Sequence, residues 1–133
     1  MQIREIGSGQ WDTLINSHFA NGNVRSDFVF VSGQLALDEQ GKLVGAGDVV
    51  AQAEQVFANI AAILAEADSN LSDVVDVKVY LIDINDISRI APVRRRFFGD
   101  RRPASTAVQI GGLVMPDALI EVSAIAIRGA ARE

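Results

Sequence analysis

Glu121 stands in the run Leu119-Ile120-Glu121-Val122, a carboxylate among apolar neighbours on a stretch with the two-residue period of a strand. A carboxylate in such a place needs hydrogen-bonding partners or a raised pKa. Two roles fit it: a general base that positions or activates water, or a member of an ion-pair or hydrogen-bond network between subunits. Ser105 and Thr106 lie on a second short strand and alternate sides of it. If Ser105 faces a pocket it can donate one hydrogen bond. No nearby base is readable, so it is not a nucleophile candidate. His18 is the single histidine and cysteine is absent. Disulfides, thiol catalysis, thiolate metal sites and paired-histidine metal sites are therefore excluded, and His18 reads as a surface or loop residue. Arg94, Arg95, Arg96, Arg101 and Arg102 form a local basic cluster. Consecutive helical residues spread around the helix, so the cluster reads first as a solvated helix end, favoured by the dipole. The sharper reading is an anion or RNA patch.

The elements that must position these groups follow from periodicity. Ile3–Ile6 reads as an edge strand. Gln10 to Arg25 is polar and mixed, with Asn21-Gly22-Asn23 as a turn signal. Phe28–Ser32 is a strand rich in aromatic and β-branched residues, and Asp38 to Lys42 is a hairpin-like turn. Asp48 caps a helix over Val49–Ala67. Its apolar stripe runs through Val49, Ala53, Val56, Ile60, Ile63, Leu64 and Ala67, with Gln52, Gln55, Asn59 and Glu66 off it. Val74–Ile82 is a strand in which Val75, Val77, Val79 and Leu81 alternate with Asp76, Lys78 and Tyr80. A second helix lies within Ile87–Phe98, ends at Gly99, and starts its regular part near Ala91 because of Pro92. Ser105–Ile110 and Leu119–Arg128 are the last strands. The order strand, strand, helix, strand, helix, strand, strand predicts an α+β two-layer sandwich: a mixed sheet with two helices on one face. Both faces of the last strand are largely apolar, with Ile120, Val122, Ala124 and Ala126 on one and Leu119, Ile125 and Ile127 on the other. An apolar second face predicts an oligomer interface.

Composition sets the outer limits. The chain has 133 residues, enough for one domain spanning residues 1–133, and 49% are hydrophobic, which argues against disorder. No apolar run reaches the roughly 18 residues of a membrane span. Met1 to Ile6 carries no signal-peptide core, so a soluble, cytoplasmic protein is expected. A net charge of −5 and an aromatic content of 6% disfavour nucleic acid as the main partner. Trp11 is a lone aromatic expected to pack or to close a loop.

The segments Val31-Ser32-Gly33-Gln34, Asp73 to Tyr80, Arg96-Phe97-Phe98-Gly99, Pro103-Ala104 and Ile120-Glu121-Val122 resemble, in order and spacing, the Rid family (YjgF/YER057c/UK114). The resemblance covers roughly residues 24–128. It implies a chorismate-mutase-like fold and a homotrimer with small-molecule pockets between subunits. It also implies hydrolysis of reactive imines or enamines to a carbonyl and ammonia, with no metal or organic cofactor. Some relatives are described as ribonucleases or translation inhibitors. By residue, it places Glu121 as the group that positions or activates water. It makes Ser32 and the Gly33 backbone substrate-binding, with Ser105, Phe19 and Ala107 shaping the pocket.

This chain departs from the family pattern at informative places. Ser105 stands where typical members have the arginine that grips the substrate carboxylate. Phe19 replaces a tyrosine, Ala91 an asparagine, and the chain is one residue longer near Met115. Loss of a buried bidentate carboxylate contact costs roughly 2–5 kcal/mol, tens- to thousands-fold in kcat/KM. The expected function is therefore a divergent imine/enamine deaminase-like hydrolase with poor activity on 2-imino acids. Its ligand is neutral or differently anchored, in one version by another arginine of the 94–102 cluster. The alternative is a non-catalytic small-molecule-binding trimer of the same fold.

Overall fold

The computed structural model describes residues 3–6 and 20–132. Trp11, His18 and Phe19 lie outside the described residues. The strands are β1 (Arg4–Ile6), β2 (Gly22–Arg25), β3 (Phe28–Gln34), β4 (Val74–Leu81), β5 (Ala104–Gln109) and β6 (Ile120–Ile127). The helices are α1 (Val49–Glu66) and α2 (Asp86–Phe98). The strands form one six-stranded sheet in the order β1-β2-β3-β6-β4-β5. Every pairing is antiparallel except β4–β5, which is parallel. A parallel pair needs a crossover, and α2 supplies it.

Both helices cover the same face. Val29, Val31, Val77, Val79, Leu81, Ile120, Val122, Ala124 and Ala126 point toward them and share one core with the α1 stripe. Phe57 of α1 is fully buried and packs against Phe97 and Phe98 of α2, with ring centroids 5.7 and 5.5 Å away. Asp48 caps α1 as expected, its carboxylate accepting from the Val50 and Ala51 N–H groups. The two-layer α+β sandwich with a mixed sheet is the architecture expected from the element order.

Four local readings change. Asn21-Gly22-Asn23 is not a turn: Gly22 opens β2, where a Cβ would lie 2.8 Å from the Phe30 carbonyl oxygen. The turn falls later, at Ser26 and Asp27, with Ser26 at φ 55°. In β4 the inward set begins at Val74 rather than Val75, because the register against β6 shifts between Val74 and Asp76. α2 is regular from Asp86, so Pro92 sits inside it, on the exposed side.

The fourth change concerns the polar residues of α1. Gln52 and Asn59 are buried, at 0% and 2% exposure. They hydrogen-bond to backbone groups of loops outside the named strands. Asn59 Nδ2 donates to the Leu35 and Leu37 carbonyls. Gln52 Nε2 donates to the Gly45 and Asp117 carbonyls, and its Oε1 accepts the Leu119 N–H at 2.8 Å. Gln52 thus pins the chain two residues before Glu121. Gln52→Leu keeps the volume but strands these backbone groups. It should destabilise the fold by roughly 2–4 kcal/mol, read from the urea midpoint. An unchanged midpoint would show that water replaces the side chain at no cost.

Candidate functional site

β6 presents alternate residues to the two faces, and Glu121 points away from the helices. It pairs with Tyr80 of β4, which pairs with Val108 of β5, so the three form one row on the open sheet face. Thr106, Lys78 and Ser123 form a neighbouring row on that face, where Lys78 is tied to Asp76 at 2.8 Å. Farther along, Phe28 and Phe30 stack with centroids 6.1 Å apart, and both are more than 40% exposed (46% and 44%).

Glu121 is half-buried, and burial pushes its pKa above the ordinary glutamate range. Among the described residues it takes part in no ion pair. Its side chain lies against Gly33, where a Cβ would come within 2.6 Å of Oε2. The register between β3 and β6 shifts between Val31 and Gln34, and this bulge brings the Ser32-Gly33 backbone beside the carboxylate. Gly33 therefore leaves the space that Glu121 fills. Ser32 Oγ donates to the Ala20 carbonyl at 2.7 Å, which holds the segment entering β2. Its lone pairs remain available to a ligand donor.

Ser105 and Ala107 lie on the other face. Their β4 neighbours, Val77 and Val79, point into the core, and Ala107 packs against that core. β5 is an edge strand, so Ser105 remains exposed there. Its Oγ accepts a hydrogen bond from Arg94 Nη2 of α2 at 3.0 Å. Arg94 is partly buried, and that burial lowers its pKa. A cleft of about 530 Å³ opens beside it between the end of α2 and the start of β5, lined also by Arg95, Arg101, Arg102 and Pro103.

The structure thus joins Glu121, Gly33 and Ser32 on one face. It places Ser105 and Ala107 on the opposite face, and Phe19 falls outside the described residues. One neighbour was not singled out in the sequence: Tyr80 flanks Glu121 only through strand register. Arg94, expected only as one of five clustered arginines, is set apart by its partial burial and its contact with Ser105. No group of three or more histidine, aspartate or glutamate side chains among the described residues could hold a metal.

The family described as Endoribonuclease L-PSP matches residues 15–128. A RutC family protein of Pyrococcus abyssi is 42% identical over 102 residues, 77% of this chain and 80% of that protein. A protein named 3-aminoacrylate deaminase RutC, from Acinetobacter baylyi, is 42% identical over 100 residues, 75% of this chain and 79% of that protein. The crystal structure of RidA from the Antarctic bacterium Psychrobacter sp. superposes with a TM-score of 0.84 at 30% identity, covering 93% of this chain and 98% of that one. With the sheet order and the two helices on one face, these matches show that the chain belongs to the Rid (YjgF/YER057c/UK114) family.

Proposed function

We propose that this protein hydrolyses a small reactive imine or enamine, and that Glu121 handles the water. One observation carries the reading: a half-buried carboxylate with a raised pKa, in no ion pair among the described residues, lies against a glycine that makes room for it. A base of this kind is better matched to proton transfer near neutral pH than an ordinary glutamate. An enamine first tautomerises, losing an N–H proton to solvent and gaining one from solvent on its β-carbon; Glu121 then takes a proton from water as the oxygen attacks the C=N carbon. Return of the proton to nitrogen and collapse of the carbinolamine give the carbonyl compound and ammonia. The family supports the reaction class through its relative named 3-aminoacrylate deaminase.

The working form is a homotrimer. An isolated chain leaves Phe28 and Phe30 stacked and exposed at 46% and 44% on the open face, with Val108 exposed at 40% at the other edge of the same face; apolar side chains there are suited to burial by other copies. A pocket that uses both Glu121 and the Ser105 edge also needs a second copy, because the two lie on opposite faces of one sheet. No described helix is long and apolar enough to cross a membrane.

Ser105 carries no charge, so turnover of 2-imino acids is slow relative to an enzyme with arginine on that strand. The test is ammonia release from 2-iminopropanoate generated in situ. The wild type is expected to be slow and Ser105→Arg at least tenfold faster. Fast wild-type turnover with no gain from arginine would overturn the role given to Ser105. If neither form releases ammonia from this imine or from uncharged ones, the protein binds small molecules without turning them over.

A further inference from the structure

Arg94 is set apart from the other arginines around the same helix end. Arg96 is paired with Glu54 at 3.0 Å and lies against the Phe97 ring. Arg89 is paired with Asp86. Arg95, Arg101 and Arg102 are exposed. Arg94 is partly buried and has no carboxylate partner among the described residues; its hydrogen bond there goes to a neutral hydroxyl. A guanidinium has five donors in a planar fork. One of them donates to Ser105 Oγ at 3.0 Å, which ties the side chain to the β5 edge and leaves the other donors for a ligand. Partial removal from water without a counter-charge is unfavourable, and an anion entering the cleft would relieve it. The field there is already positive, since Arg95, Arg101 and Arg102 line the cleft with Asp100 as the single acidic lining residue.

We propose that Arg94, held by Ser105, binds the oxyanion of a small substrate, most simply a carboxylate. The charge then comes from α2 rather than from the edge strand, with Ser105 orienting the fork. This rests on the deaminase reading for the meaning of the site, though the anion contact can be measured without turnover. A guanidinium that reaches from a helix is less constrained than one rooted in the strand, which fits the slow turnover of 2-imino acids expected above.

The probes are pyruvate, its uncharged methyl ester and inorganic phosphate, titrated calorimetrically into the intact oligomer. Arg94→Met should weaken pyruvate binding roughly ten- to fiftyfold and leave methyl pyruvate unchanged, since one charged, partly exposed contact is lost. Arg94→Met with Ser105→Arg should restore pyruvate binding. Phosphate that competes with pyruvate in the wild type but not in Arg94→Met would support the general oxyanion site. Equal pyruvate affinity in wild type and Arg94→Met, or no pyruvate binding by the wild type, would overturn the proposal. So would subunit dissociation of Arg94→Met in sedimentation with unchanged ligand affinity, because Arg94 would then pair with a neighbouring copy. Absence of imine turnover alongside Arg94-dependent pyruvate binding would remove the deaminase reading and keep the anion site.

Discussion

Glu121→Gln should lower kcat by about 10²–10⁴-fold, the usual contribution of a positioned general base. It should do so without unfolding the protein. Glutamine has nearly the same shape, so the space beside Gly33 stays filled, and it removes only the ability to accept a proton. The wild-type kcat/KM should rise with pH along a limb centred above the ordinary glutamate range, because burial raises this carboxyl and the base works deprotonated. Glu121→Gln should lack that limb. Stability should move the opposite way. A carboxyl whose folded pKa is raised binds its proton more tightly when folded. Its relative contribution to stability is therefore greatest at low pH and falls as pH rises through the raised value. Glu121→Gln escapes that loss and should unfold at a higher urea concentration than the wild type at neutral pH. Retention of most activity would sink the role of Glu121. Loss of activity together with lost stability would instead mark it as structural.

Gly33→Ala is the second large effect, near 10²-fold in kcat, with stability changed by less than about 1 kcal/mol. The new methyl would meet Glu121 Oε2 at 2.6 Å and Cδ at 2.8 Å. These atoms are the far end of a flexible side chain, so the clash is relieved by turning the carboxylate aside. The fold has little reason to resist, but a displacement of about 1 Å at a catalytic group is enough to cost two orders of magnitude. Steady-state rates together with a urea melt separate the two consequences. Full activity in Gly33→Ala would mean that the carboxylate works equally well from another rotamer.

Much of the scaffold was readable in the residues. The α1 stripe, its Asp48 cap and the alternation along β6 each depend on local periodicity or local hydrogen bonding. What was misread depended on partners distant in sequence. Gly22 belongs to a strand because β1 and β3 flank it, and the two-sided pairing outweighs its turn propensity. Gln52 and Asn59 lie off the apolar stripe yet are buried, because loops at Leu35, Leu37, Gly45 and Leu119 bring their backbone groups onto α1. Val74 replaces Val75 in the core because a bulge against β6 offsets the two-residue period. Pro92 did not delay α2, because the helix is already regular from Asp86 and the ring sits on its exposed side.

The candidate site divides in the same way. Glu121, Ser32, Gly33 and Ser105 could be named from residue types, apolar context and family-like spacing, since those features are carried by short segments. The sequence alone determined that a carboxylate would sit in an apolar strand and that a serine, Ser105, would stand on the short strand after Pro103. The tertiary structure decided which groups meet. A bulge in β3 set Gly33 against Glu121, and strand register set Tyr80 beside it. The parallel β4–β5 crossover carried α2 to the sheet edge, where Arg94 reaches Ser105. Contacts between residues far apart in the chain depend on register, bulges and the side of the sheet a helix covers, and these are fixed when the whole chain packs.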